Sequence, residues 1–444
     1  MKTLVEDVSS VKKKLIVEIE ADEVDKRIND AYKSLKKRAK MPGFRPGKIP
    51  RNLLERYYGD QVINDVTREL VRDTLPQAVE ETQTFPLVMP LVDNESLKQG
   101  TAFRYTAVLE VKPQFALNEY RGLEVKKEIC AVTEEAVDKQ IEEIRMNSGK
   151  LQPLEIPRGV QEGDFVIIEY EGFEGGEPIE GVKGTNFLLR IGSGDFHPDF
   201  EKALVGLNPG DDTETRVSFA SDHYHDRLAG KSVDFKVRIV DIKALELPEI
   251  NDDFARGLGA EFEGLEDMRT RIREDLVKRE EKRIDRELKR RLLKRISDGV
   301  DFELPECLVE SEIDRAMENI RQNLMRSGSD MEKAGFQEER LRQDFRPMSQ
   351  QRVKDMLILA EIARENDLQV SETELNDGFR ELAEGIGQEP EVVRKYYEAN
   401  QGVEAYRERL LEEKTLNFLV NGARITEVEA DGIPREEGSE KPAS

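Results

Sequence analysis

Along residues 11–20 apolar and polar positions alternate, with Leu15, Val17 and Ile19 on one face, the period-two pattern of a half-buried strand. Asp22 then stands where a helix N-cap is expected. Val24, Ile28, Tyr32, Leu35 and Ala39 follow at helical spacing. Met41-Pro42-Gly43 must stop that helix. Pro50 is suited to open a second one, because a first-turn residue needs no N–H partner. Leu53, Leu54, Tyr57, Val62, Val66 and Leu70 give it an apolar stripe, and strand-like text returns over 102–111. These elements predict a small α+β domain over residues 1–112.

Residues 113–149 lack the Gly/Ser composition of a flexible linker. An extended part over 123–132 and a short helix over 134–146 predict a connection that packs on the helical domain. Residues 150–246 are rich in glycine, with strand-like runs over 165–170, 187–191, 213–219 and 232–242. They predict a separate β-rich domain. From 247 to 430 the periodicity is helical. A stripe of Met268, Ile272, Leu276, Ile284, Leu288 and Leu292 runs along 265–297. A helix from Pro305 is ended by Gly328. A long one over 336–366 carries Pro347 as an expected kink, Ser371 and Glu374 form a capping box, and a last helix spans 403–420. Residues 431–444 are polar and predict a disordered tail. The fold class is multidomain α+β: an α+β domain, a β-rich domain and an all-α domain with arms.

Composition narrows the function. Charged residues are 36% of the chain and the net charge is −24, so a general nucleic-acid coat is excluded and any contact with RNA must be local. The two cysteines, Cys130 and Cys307, are far apart and outside any motif spacing, which fits a reducing compartment such as the cytoplasm. Neither a secretory leader nor a membrane span is expected from the apolar runs. All three histidines lie in the β-rich domain; His223 and His225 with His197 make weak metal ligands without a Cys or carboxylate cluster, so no metal and no cofactor is expected. No glycine run matches a phosphate or dinucleotide loop; Gly172–Gly176 and Gly192–Gly194 are expected to be turns.

The acidity has one local exception. Between Ala31 and Tyr58 stand nine Lys or Arg (Lys33, Lys36, Lys37, Arg38, Lys40, Arg45, Lys48, Arg51 and Arg56) against the single acid Glu55, a local charge of +8. Screening beyond about 8–10 Å lets such a patch attract phosphate despite the global charge. At its centre, Gly43-Phe44-Arg45-Pro46-Gly47-Lys48-Ile49-Pro50 sets an aromatic and two cations among turn-formers. Phe44 is expected to be an exposed apolar anchor, with Arg45 and Lys48 on phosphate or acidic side chains. Lys33, Lys36, Lys37 and Lys40 read equally as a solvated helix face.

This motif between two helices resembles the ribosome-binding signature of bacterial trigger factor, and the domain order resembles that family over essentially the whole chain. The resemblance implies that Gly43, Phe44, Arg45, Pro46, Gly47 and Lys48 bind the large ribosomal subunit beside the peptide exit. Pro46 departs from the family, where many members carry a base; it removes one phosphate contact and stiffens the tip. The resemblance also implies an FKBP-like middle domain. Gly163–Gly172 resembles the strand whose Tyr lines the proline pocket, and Gly192–Glu201 the segment carrying the pocket floor. By position, Tyr170, Ile179, Phe187, Phe196, His197, Phe200, Tyr224 and Phe235 surround the pocket. Ile179 stands for a usual Phe, His197 for a usual Ile whose backbone amide holds the substrate, and Asp199 for a usual Gly. The resemblance implies peptidyl-prolyl cis-trans isomerase activity, which these departures would weaken.

The helical domain has narrow apolar stripes and wide charged faces. They fit a closed bundle or arms that leave some apolar residues exposed; Met317, Met325, Met331, Met348 and Met356 are adaptable candidates for contact with clients. The resemblance favours client binding: an ATP-independent chaperone for nascent and unfolded chains, partly ribosome-bound, with a role in export and a homodimer when free. Neither membrane nor DNA is expected as a partner. Two alternatives belong to other classes, a stand-alone prolyl isomerase with helical dimerisation arms and a purely structural helical adaptor.

Overall fold

The computed structural model describes residues 1–42, 44, 47–154, 156, 158–194, 196–219, 228, 230–259, 262–327, 329–331 and 336–429. Gly328 and the polar tail, 431–444, lie outside them. The chain divides into two compact units. One comprises Met1–Val125, Lys289–Gly328 and Gln337–Arg424; the other comprises Lys126–Leu288, Ser329–Phe336 and the chain from Ile425 onward.

The first unit opens with β1 (Lys2–Asp7), β2 (Lys12–Ile19), α1 (Ala21–Arg38), α2 (Arg51–Thr82), β3 (Leu91–Asn94) and β4 (Phe103–Glu110). The strands form an antiparallel sheet in the order β1-β2-β4-β3. Its register sets Leu15 opposite Ala107, Val17 opposite Tyr105 and Ile19 opposite Phe103. All six are buried on one face against Val24 and Ile28 of α1 and Leu54, Val66 and Leu70 of α2. Tyr105 buries its hydroxyl but bonds Thr74 Oγ at 2.8 Å, and Thr74 donates onward to the Leu70 carbonyl, so no polar atom there is left unpaired. The N-cap position of α1 is Glu20, not Asp22, and carries no side-chain cap bond; Asp22 lies in the first turn, where a carboxylate faces the positive helix end. Tyr57 leaves the expected stripe of α2 and is 68% exposed.

β5 (Glu124–Glu128) and α3 (Glu134–Asn147) follow, α3 capped by Thr133. The second unit then forms a five-stranded antiparallel sheet from β6 (Lys150–Pro153), β7 (Phe165–Glu174), β8 (Glu177–Arg190), β9 (Asp212–Ser218) and β10 (Ser232–Glu246), with α4 (Pro198–Leu204) between β8 and β9. β10 is its spine, pairing with β7 along one edge and with β9 and β6 along the other. Gly175 and Gly176, both at positive φ, close the β7–β8 hairpin. Gly172 is no turn: it is a buried strand residue, and a Cβ there would come within 2.7 Å of Val182 and 3.3 Å of Phe235.

The helices α5 (Asp252–Leu258) and α6 (Leu265–Asp298) come next. Phe254, Met268 and Ile272 bury Val137 and Ile141 of α3, so the connecting helix has a packed face. In the first unit, α7 (Glu306–Arg326) and α8 (Glu338–Glu365) are bridged by Arg342 to Glu310 and Asp314, each at 2.7 Å, and by Arg346 to Glu306 at 2.6 Å. Pro347 lies inside α8 without ending it. α9 (Glu372–Ile386) starts at the expected capping box, and α10 (Pro390–Ala399) and α11 (Val403–Gly422) complete an aromatic core of Phe379, Tyr397 and Tyr406. A short strand, β11 (Arg424–Val428), unannounced by the helical pattern, pairs with β5. Among the methionines, Met317 is core, whereas Met325 and Met348 are mostly exposed. No helix among the described residues is long and apolar enough to cross a membrane.

Candidate functional site

The loop between α1 and α2 is held at its base. Ile49 is fully buried in the sheet–helix core and Met41 packs partly against it, so both legs are anchored. The Gly47 amide donates to the Lys36 carbonyl at 3.0 Å, and Gly47 takes φ +83°, a conformation that favours glycine. The Phe44 amide returns to the Met41 carbonyl at 3.1 Å, while its side chain remains 38% exposed. Gly43, Arg45 and Pro46 lie outside the described residues.

The surrounding cations divide into two groups. Arg51 is committed to the fold: it bonds Glu55 at 2.6 Å and Gln99 at 3.2 Å, bonds Asn29, and stacks over Tyr32 at 5.1 Å. Lys33 pairs with Asp30, whose carboxyl it holds below the usual range. Lys36, Lys37, Arg38, Lys40, Lys48 and Arg56 are exposed, and no ion pair joins them to another described residue. Tyr57, on α2, exposes its ring as well.

The second site is an aromatic pocket. β7 supplies Tyr170, β8 Phe187, α4 Phe200, β10 Phe235, and the turn before α4 supplies Phe196. Tyr170 meets Phe187 edge-on at 5.6 Å and Phe196 at 5.5 Å; Phe196 lies 4.2 Å from Phe200, which meets Phe235 edge-on at 5.3 Å. Phe200 and Phe235 are buried as the floor, and Phe187 is 38% exposed at the rim. Ile179 packs partly buried against the same cluster. Gly184 is required beside Tyr170, because a Cβ would come within 2.6 Å of the ring. Burial raises the Tyr170 phenol above its ordinary value, so at neutral pH it remains a hydrogen-bond donor.

His197 caps α4, its Nδ1 accepting the Asp199 amide at 3.3 Å. The ring stands edge-on to Phe219 at 5.7 Å. Tyr224, with His223 and His225, lies outside the described residues. Among the described residues no group of His, Cys, Asp or Glu is placed to hold a metal ion. Two contributors were not foreseen from the sequence. Phe219 closes the wall between His197 and Phe235; it ends a strand-like run and its ring gave no separate signal. Glu201 is a 4% exposed carboxylate beneath the turn, accepting the amides of Gly192 at 2.7 Å, Phe196 at 3.1 Å and Gly194 at 3.4 Å.

Comparison with known proteins gives both sites a family. The family model described as bacterial trigger factor protein (TF) matches residues 1–144, and that of its C-terminus matches 264–421. Between them, the model for FKBP-type peptidyl-prolyl cis-trans isomerase matches residues 157–240. The trigger factor of Geotalea uraniireducens is 36% identical over 98% of this chain and 100% of its own length. The chain belongs to the trigger factor family. The trigger factor of Geobacter sulfurreducens is 35% identical over 96% of this chain and 99% of its own, and that of Caldicellulosiruptor bescii 34% over 95% and 96%. A solved trigger factor chaperone structure shares the fold, with a TM-score of 0.50 and 21% identity over 95% of this chain and 99% of that one. The molecule is therefore a ribosome-associated chaperone with an FKBP-type domain, and the stand-alone isomerase is not favoured. In trigger factor terms, the exposed tip lies in the N-terminal match and the aromatic pocket in the FKBP-type match.

Proposed function

We propose that the chain docks on the large ribosomal subunit beside the peptide exit through Gly43, Phe44, Arg45, Pro46, Gly47 and Lys48, and catalyses prolyl cis-trans isomerisation in the pocket around Phe200. The observation that carries the docking is the exposed Phe44 ring in a loop whose flanking cations Lys36, Lys37, Arg38, Lys40 and Lys48 make no ion pair among the described residues. Phe44 inserts as the apolar anchor. Lys48 and the flanking bases of α1 attract phosphate, a term that salt weakens.

The pocket chemistry needs no nucleophile. Rotation about an X–Pro bond faces a barrier of about 18–20 kcal/mol, largely lost amide resonance. A twisted amide is less polar than a planar one. A cavity of packed rings that excludes water therefore favours the twisted state, with the Tyr170 hydroxyl and the His197 backbone amide as donors. Tyr224 belongs to the same proposed wall. Ile179 for a larger ring leaves that wall thinner, which weakens the activity.

Clients are held by dispersed apolar contact, without nucleotide. Met325, Phe336, Met348, Ile386, Val392 and Tyr396 expose apolar surface on or beside the helices of the last third of the chain. The domain limits 1–112, 113–149, 150–246 and 247–430, a cytoplasmic location, a share in export and a homodimer of the free protein complete the proposal. Co-sedimentation with ribosomes in moderate salt tests the docking. Phe44→Ala/Arg45→Ala is expected to leave the ribosome pellet, and undiminished sedimentation would overturn the claim. Turnover of a proline peptide by wild type and Phe200→Ala tests the pocket; equal rates would remove the assignment.

A further inference from the structure

We propose that Glu201 is a positioning residue of the prolyl pocket, fixing the turn that carries Phe196; the inference rests on the isomerase reading above. Glu201 lies in the first turn of α4, and its side chain points away from solvent. A buried carboxylate is costly unless hydrogen bonds replace its water. Among the described residues three peptide N–H groups do so: Oε2 accepts from Gly192 and Gly194, and Oε1 from Phe196. No Lys or Arg pairs with it among the described residues; the compensation seen there comes from peptide dipoles.

All three donors belong to one segment, Gly192–Phe196, that departs from regular structure. Gly192 and Gly194 take positive φ, 85° and 79°. It ends at Phe196, whose ring touches four other aromatic rings of the pocket, and at His197, the proposed amide donor. Glu201 therefore sets the height of Phe196 from below, and the two oxygens divide the work. Oε2 holds the two glycines and Oε1 holds the residue that bears the ring.

That division makes the amide variant informative. Gln has one oxygen; if it keeps the glycines, its NH2 faces the Phe196 N–H, donor against donor. In Glu201→Gln the Phe196 amide is thus released while the shape of the side chain is kept. In the proposed pocket Phe196 contacts the proline ring in both planar and twisted states, so loosening it removes uniform binding.

The test uses the full-length chain, a proline tetrapeptide substrate and a temperature at which circular dichroism shows both proteins folded. Glu201→Gln should raise KM by about fivefold or more, the equivalent of one lost hydrogen bond, with kcat within about twofold. A purely structural role would lower the active fraction, reducing apparent kcat with KM unchanged, and that result overturns the proposal, as does an unchanged KM and kcat. Wild type that fails to accelerate the peptide sinks the isomerase reading instead. In that case, or if Glu201→Gln does not fold, amide hydrogen exchange of wild type decides. Gly192 and Phe196 protected as well as β7 uphold the role of Glu201, and exchange at the rate of an open turn overturns it.

Discussion

In the aromatic pocket each ring leans on other rings, whereas Phe44 at the loop tip keeps 38% of its surface exposed and its amide bonds back to Met41 within the same turn. The pocket acts through burial: Phe200 and Phe235 are as much core as site, and function there is tied to stability. The tip acts through exposure. Its base is fixed by Ile49 and by the Gly47–Lys36 bond, and under the proposed docking the exposed cations meet the partner. One lesson follows. A substitution in the pocket should cost stability and function together, and a substitution at the tip should cost function alone.

Phe200→Ala should break the pocket most severely. Removing a fully buried ring typically costs about 3–5 kcal/mol, so the melting transition of the β-rich domain should fall sharply and prolyl turnover should vanish with it.

Asp164→Asn comes second. Asp164 is buried before β7 and takes two bonds from Arg158, at 2.5 and 2.8 Å, and one from the Gln161 amide at 2.8 Å. The Arg158 bonds, against the opposing effect of burial, hold its carboxyl below the usual range. A depressed carboxyl contributes stability that is present above its unfolded pKa and lost as pH falls through the folded value. Losing these charge-assisted bonds should cost about 2 kcal/mol at neutral pH. The difference from wild type should close in acid, below the ordinary Asp range, as thermal melts across pH would show.

Much of this comparison was legible in the sequence, but not evenly. The pattern of Leu15, Val17 and Ile19 and the stripe of α1 exposed the first sheet–helix core, and the turn-formers around Phe44 exposed the tip. β1 and β6 carry no strand signal of their own, because KTLVED and KLQP are short, polar edge segments, strands only because β2 and β10 pair with them. Tyr57 fitted a helical stripe by spacing and yet faces out, since α2 is apolar over a narrower arc than the spacing suggested. Glu201 was invisible for a different reason. An acid in the first turn of a helix is the commonest of solvated residues, and only the fold of Gly192–Phe196 above it turns it into a buried acceptor.

Within the tip, Arg51→Ala and Lys48→Ala should separate two kinds of cation. Arg51 is woven into Glu55, Gln99 and Tyr32, but at the surface, so its loss should cost about 1 kcal/mol or less of stability. Lys48→Ala should leave stability within about 0.5 kcal/mol and weaken ribosome co-sedimentation, most visibly at low salt. Equal melting losses for the two would remove the distinction between structural and free cations.

The most direct test assays one protein twice. Full-length Phe44→Ala/Arg45→Ala should melt like wild type and turn over a proline peptide at the wild-type rate, yet no longer pellet with ribosomes in moderate salt. Retention in the ribosome pellet at the wild-type level would contradict the account at its centre.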